Sequence, residues 1–355
     1  MKVAVVRNRK KQGVIYRYGR PSPETYGKKS VQRVMDALRA GGHEIKVIEG
    51  DLTMFPRLRK FIPPDENGRP TGLVFNLSYG IQGDCRYTHL PGMLEMTGVP
   101  YTGASPLGHS IALDKVITKQ ILTSSGIPTP KMAVMSRPDP TRINGLRFPL
   151  VVKPRQESTS CGLHLVYDYD ELIAAVLNVT AQFEQEALVE EYILGRELCV
   201  SIIGNDKLEI LPFVELDFNG RGHPMLTRED KFHRTADEPT KICPVTLDPD
   251  LEAKIRIMVA QTYRLCHCRD YARVDLRIDP FGNPYILEIN SMASLGQGGT
   301  LVAAAREAGY SFEALINRIV YMACRRGGLD VAEEAWLEVP DHRSVDDLPS
   351  IPAAA

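Results

Sequence analysis

The sequence predicts an α/β domain built on a parallel sheet, followed by a mixed α+β unit. Three observations carry this. Strand and helix patterns alternate through the first hundred residues, and β-branched strand patterns dominate from Ala187 onward. The 355 residues exceed one compact core and suffice for two or three domains.

Val3 to Val6 is a short apolar run, read as the first strand. Val31, Val34, Met35 and Leu38 recur at helical spacing and stop at Gly41-Gly42, after which Ile45 to Ile48 and Leu73 to Leu77 read as further buried strands. From Ala104 a second segment begins, with one helix expected over Ile111 to Ser124, ended by Gly126 and Pro128. The strand-loop-strand FPLVVKPRQESTSCGLHLV covers 148–166, and Tyr169 to Phe183 is the next helix. A polar stretch separates Asn219 from Glu238, and Asp248-Pro249 opens a further helix, since Asp caps the orphan amides and Pro lacks one. Past Gly328 the chain turns acidic and Pro-containing with little periodicity, so 329–355 reads as a tail or linker.

Composition excludes several function classes. Forty-three Lys+Arg against 44 Asp+Glu leave no global field for nucleic acid or a membrane surface, so any anion site is local. The seven cysteines are scattered without a disulfide-like spacing, which fits a reducing, cytoplasmic setting. The start KVAVV reads as a strand, and no apolar run approaches the roughly 20 residues of a membrane span, so the chain reads as neither secreted nor membrane-embedded. Walker-type, GxGxxG, HExxH and GxSxG motifs are absent. Cys266, His267 and Cys268 invite a zinc reading, but consecutive helical residues diverge, and a buried helix terminus is the better one.

The segment ARVDLRIDPFGNPYILEIN, 272–290, carries the most chemistry. Asp275 lies in one alternating strand, and Glu288 and Asn290 share a face of the next, with Pro280, Gly282 and Asn283 between them. Three hard oxygen donors inside apolar strands call for a cation, and so few ligands suit Mg²⁺, with waters and phosphates completing it. The plainer alternative is that these acids pair with Arg273 and Arg277. Arg273, two residues before Asp275, is placed to meet an oxyanion or phosphate. Lys115 in LDKVITK and Lys153 in PLVVKP sit in apolar surroundings that demand an anion. Ser158, Thr159 and Ser160 in the loop after Lys153 could wrap phosphate oxygens or form an ordinary polar turn. LVEEYILGRELCV places Glu190, Glu191 and Glu197 around a short apolar linker suited to an adenine edge and ribose hydroxyls.

Five stretches in order, LPGMLEMTGVPYTGAS, LDKVITKQIL, VKPRQESTSCG, EEYILGRE and RVDLRIDPFGNPYILEIN, resemble the D-alanine:D-alanine ligase family of ATP-grasp enzymes from about Leu73 to Val320. The resemblance implies a Rossmann-like α/β domain at 1–103, then α+β ATP-grasp subdomains at 104–189 and 190–328. It places Lys115 and Lys153 on the phosphates of ATP, and Glu190, Tyr192, Ile193 and Glu197 near adenine and ribose. It gives Mg²⁺, or Mn²⁺ in its stead, to Asp275, Glu288 and Asn290, and the tetrahedral oxyanion to Arg273. Thr159 and Ser160 belong to the phosphate loop, and Lys231 resembles the mobile-loop lysine that reaches the phosphates. The implied reaction joins a carboxylate to an amine through an acyl phosphate, releasing ADP and phosphate. The implied partners are amino-acid or peptide substrates and, as such ligases often are, a second copy in a homodimer.

Departures fall on the substrate side. Where the family has a Glu-Val-Ser motif for the first amino group, this chain reads PSPETYGKKS, with Glu24 out of register. NLSYGIQGDCRYTH replaces the His-Gly and Gly-Glu-Asp-Gly run, with Asn76, Asp84 and Arg86 in its vicinity. Ala293-Ser294 stands for Pro-Gly, Thr300-Leu301 is closest to the later Ser-Leu, and Phe232 replaces the mobile-loop tyrosine. These changes point to an amino-acid or peptide ligase related to D-alanine:D-alanine ligase. The alternatives are a true D-alanine:D-alanine ligase, a carboxylate kinase, and a nucleotide-gated binding protein without turnover.

Overall fold

The computed structural model describes residues 1–9, 14–16, 19–222, 225 and 239–329. Its first unit is a parallel sheet in the order β2-β1-β3, from β1 (Lys2–Arg7), β2 (Glu44–Glu49) and β3 (Gly72–Leu77). Because side chains alternate along β1, Val3 and Val5 enter one core and Ala4 and Val6 another. On the first face lies α1 (Lys28–Ala40), which buries Val31, Val34, Ala37 and Leu38 at helical spacing. On the second lie α2 (Met54–Phe61) and α3 (His89–Thr97), with Met54, Leu58, Leu90 and Leu94 buried. Cover on both faces explains the continuous buried runs of β1 and β3, while β2 at the edge alternates exposed and half-buried residues from Glu44 to Val47.

Two short helices follow, α4 (Pro106–Leu113) and α5 (Lys115–Ser124), where one was expected. The break has a local cause. Asp114 adopts extended backbone and its carboxylate accepts from the amides of Val116 and Ile117, each at 3.0 Å, so it ends one helix and caps the next.

The second sheet is antiparallel in the order β4-β7-β5-β6: β4 (Met132–Met135), β5 (Leu150–Pro154), β6 (His164–Val166) and β7 (Ala187–Glu191). α6 (Tyr169–Phe183) covers it, capped by Asp168 and packing Leu172, Val176 and Val179 onto Leu150 and Val152. The division expected at 189/190 falls inside β7, whose Glu190 and Glu191 still pair with Val151 and Leu150.

The third sheet, also antiparallel, runs β11-β10-β8-β12-β13, with β9 beside β8. Its strands are β8 (Arg196–Gly204), β9 (Leu208–Ile210), β10 (Val214–Asp217), β11 (Thr240–Ile242), β12 (Tyr271–Ile278) and β13 (Pro284–Asn290). One face packs α7 (Pro249–Leu265), together with Ala112 and Leu122 from α4 and α5, onto Val200, Val274 and Ile286. The other face meets α8 (Thr300–Glu307) and α9 (Phe312–Arg326) in the core that also holds Val3, Leu38 and Phe75. The first and third sheets thus share a hydrophobic core. Among the described residues no helix is long and apolar enough to cross a membrane.

Candidate active site

A cleft of about 820 Å³, partly open to solvent, lies between the second and third sheets. β5 contributes Lys153, the end of β7 contributes Glu190, and β12 and β13 contribute Asp275 and Glu288. Lys115, at the first turn of α5, joins the lining. Thr159, Ser160, Tyr192, Ile193 and Glu197 complete the predicted residues on its walls.

On the third sheet, Asp275 and Glu288 are register partners across β12 and β13, and Asn290 faces Arg273. The Asn290 amide donates to Asp275 Oδ2 at 3.0 Å and to Glu288 Oε1 at 3.5 Å, drawing the three side chains together. Arg273 grips both oxygens of Asp275, at 2.6 Å each. Burial works against the Arg273 charge, yet the Asp275 carboxylate outweighs it and the guanidinium is held above its ordinary range. The plainer sequence alternative is therefore half realised: Arg273 pairs with Asp275, whereas Arg277 turns to Glu197 at 2.7 Å and to the Ile193 carbonyl at 2.8 Å. The Arg277 guanidinium also lies 4.7 Å from the Tyr192 ring centroid, which fixes the linker between β7 and β8.

On the second sheet, Lys153 donates to Glu190 Oε1, and Lys119 reaches Glu190 Oε2 at 2.9 Å. Lys119, fully buried four residues after Lys115, is a site residue that sequence reasoning missed. Its i+4 spacing within an apolar helix was the available signal. The two lysines hold Glu190 below the ordinary glutamate value despite its burial. Burial lowers Lys119, while at Lys153 burial is outweighed by Glu190 and Glu288, and its pKa rises. Lys115 donates to the Glu157 carbonyl and lies 3.9 Å from Glu288 Oε2, and burial lowers its pKa.

The loop joining β5 and β6 has an unusual backbone. Thr159 and Ser160 are both left-handed, at φ 56° and 55°, although neither is glycine. Such residues cost about 1 kcal/mol or more each and persist where the surroundings impose them. Gly162 follows at φ +69°, and a Cβ there would stand 2.5 Å from the Phe183 ring, so the loop has no room to shift inward.

The N-terminal unit reaches this loop. Glu24 Oε1 accepts from Ser158 and from the Tyr87 hydroxyl at 2.6 Å, and Arg86 lies 3.5 Å from it. Tyr26 stacks on Tyr79 with centroids 5.2 Å apart. Asn76 is buried in β3, its oxygen accepting from the Ser78 amide at 2.8 Å. Ala293 is buried, and the Ser294 hydroxyl accepts from the Gly296 amide at 3.2 Å. Lys231 and Phe232 lie outside the described residues.

Cys266, His267 and Cys268 follow the last turn of α7, with His267 left-handed at φ 51° and both thiols buried. Burial pushes the Cys266 thiol up to about 12. Among the described residues no group of three or more His, Cys, Asp and Glu side chains is arranged to hold a metal ion, so the zinc reading has no support. The triplet Asp275, Glu288 and Asn290 is of a different kind, two acids and an amide.

A family model described as "D-ala D-ala ligase C-terminus" matches residues 121–321, more than half of the chain. The chain belongs to the D-alanine–D-alanine ligase family. Its ATP-grasp architecture accounts for the paired antiparallel sheets facing one cleft. An uncharacterized protein, y4sG, of Sinorhizobium fredii is 46% identical over 330 residues, 92% of this chain and 98% of its own length. A D-alanine–D-alanine ligase of Xanthomonas axonopodis pv. citri is 31% identical over 297 residues, 81% of this chain and 86% of its own length. Among solved structures, D-alanine–D-alanine ligase from Bacillus anthracis complexed with ATP superposes with a TM-score of 0.70 at 23% identity, covering 92% of this chain and 99% of that one. At that identity the likeness concerns the fold.

Proposed function

We propose that the chain is an ATP-dependent carboxylate–amine ligase, acting on amino acids or short peptides. The observation that carries the reading is one cleft in which buried Lys153 on one sheet and Lys115 at the start of α5 face Asp275 and Glu288 on the other sheet, with Arg273 and Asn290 bonded to Asp275 beside them. Membership in the family, and the ATP in the Bacillus anthracis relative's structure, support the nucleotide assignment.

In this reading the adenine and ribose lie along the linker Tyr192 and Ile193 and against Glu197, with Glu190 behind them holding Lys153. Lys115 and Lys153 meet phosphate oxygens, and the amides and hydroxyls of Thr159 and Ser160 wrap them. A substrate carboxylate attacks the γ-phosphoryl group, ADP leaves, and the amine then displaces phosphate from the acyl phosphate. Arg273 neutralises the oxyanion that forms at the acyl carbon.

The residues fit a divalent cation. Asp275 and Glu288 face each other in register, and the Asn290 amide that already reaches both carries an oxygen on its other branch. Oxygen donors of this number suit Mg²⁺, with Mn²⁺ as substitute, which when bound would neutralise phosphate charge. Glu288→Ala is expected to cost about 4 kcal/mol of transition-state stabilisation, about a thousandfold in kcat. Unchanged turnover in that variant would remove the metal assignment.

A second reading, D-alanine on both sides of the bond, rests on the activity named for the Xanthomonas relative. The substrate-side positions speak for different substrates: Glu24 is spent on Ser158 and Tyr87, with the buried Arg86 3.5 Å from it. Supplying D-alanine alone and assaying for the dipeptide separates the two.

A further inference from the structure

The N-terminal unit touches the phosphate loop through a buried ion pair that the proposed reaction does not itself use. Arg86, 2% exposed, donates to Glu157 Oε2 at 3.2 Å and to the Gln156 carbonyl at 3.2 Å. Its backbone packs directly against Gly80, where a Cβ, at φ +74°, would stand 1.9 Å from the Arg86 carbonyl, so only glycine fits that approach. Glu157 is 5% exposed, and its other oxygen accepts from Gln185 at 3.2 Å. The Glu157 backbone carbonyl is the acceptor for the Lys115 ammonium. One line of contacts therefore runs from Arg86 through Glu157 to Lys115 in the cleft lining.

From this geometry we infer that Arg86 is a positioning residue for the phosphate end of the nucleotide site. It holds Glu157 in place, and with it the carbonyl that aims Lys115, so that phosphate binding depends on the N-terminal unit being seated on the loop. Two further contacts land on the same region: Glu24 on Ser158, and the Arg20 guanidinium 4.5 Å from the Phe183 ring centroid, the ring that also backs Gly162. Losing Arg86 leaves the Glu157 carboxylate buried near Glu24 without its direct ion-pair partner, and the loop is expected to move to rehydrate it. The inference rests on reading the cleft as a nucleotide site.

The test is calorimetric titration of the full-length protein with AMP, ADP and β,γ-imido ATP in Mg²⁺, for wild type, Arg86→Ala, Arg86→Lys and Glu157→Gln. Thermal unfolding of each variant checks that it folds, and Glu157→Gln approaches the same contact from the loop with almost no change of volume. Arg86→Ala and Glu157→Gln should weaken β,γ-imido ATP by about tenfold, ADP by less and AMP hardly at all, with Arg86→Lys recovering part of the loss. A residue that merely glued two units together would weaken all three ligands alike. Equal losses across the three, or none in any variant while wild type binds β,γ-imido ATP, overturn the inference and leave the nucleotide reading standing. A wild type that binds no nucleotide overturns both.

Discussion

Glu190 holds two buried ammonium groups, and its effect on them depends on pH. Its carboxylate, 4% exposed, lies between Lys119 and Lys153 and titrates below the ordinary value of 4.5. A depressed carboxylate contributes stability that is present above the unfolded-state value and is lost as pH falls through the folded one. The melting temperature should therefore drop steeply below pH 4.5. Glu190→Gln should cost about 3 to 5 kcal/mol at neutral pH, since two lysines lose a buried partner. Its Tm should also vary less with acid than the wild type's. Thermal melts across pH 3 to 7, an experimental range of about four units, check both. At this scale the sequence was legible where spacing alone decides, as for Asp275, Glu288 and Asn290, which alternation places on one patch. It was not legible for Lys119 or for Glu157, because each is defined by a partner far along the chain: Glu190 is 71 positions from Lys119, and Arg86 is 71 from Glu157.

Helix α5 owes its start to Asp114, and the same residue is tied to the loop that follows Lys153. Besides capping α5, its carboxylate accepts from Arg155 at 2.8 and 2.9 Å and from Gln156 at 3.1 Å. Asp114→Ala should cost about 1 to 2 kcal/mol for the cap and should raise the KM for ATP, because Lys115 is the first residue of the helix that Asp114 anchors. Urea unfolding and steady-state kinetics measure the two effects, and Asp114→Asn should retain most of the cap while removing the negative charge that faces Arg155. Most elements were readable from periodicity and end signals, as with Tyr169–Phe183 and the Asp248-Pro249 start. The split at Asp114 was not, since the apolar spacing continues through it and only the backbone turn separates α4 from α5.

The whole molecule is organised so that its first and third sheets cannot come apart cheaply. They share a core through α1 and α9, and Asp270, fully buried, ties Arg326 of α9 at 2.9 Å to the amide of Gly103 at 2.7 Å. Near-ultraviolet and far-ultraviolet circular dichroism should report one coincident unfolding transition for these two sheets. Asp270→Ala should lower the unfolding free energy by about 3 kcal/mol or more, and the midpoint with it, as expected for a buried pair losing one member. The sequence showed three groups of strands but not that β1 and α9 close onto each other in one core, because such packing leaves no local pattern. The ligase chemistry proposed for this molecule belongs to the cleft between the second and third sheets. Its most direct test is incubation of the pure protein with Mg-ATP and a panel of D- and L-amino acids and short peptides, with phosphate release and product mass followed together. An amide product formed in step with ADP and phosphate is the predicted result. ATP binding without an amide from any pair of substrates, or phosphate release that never yields one, would contradict it.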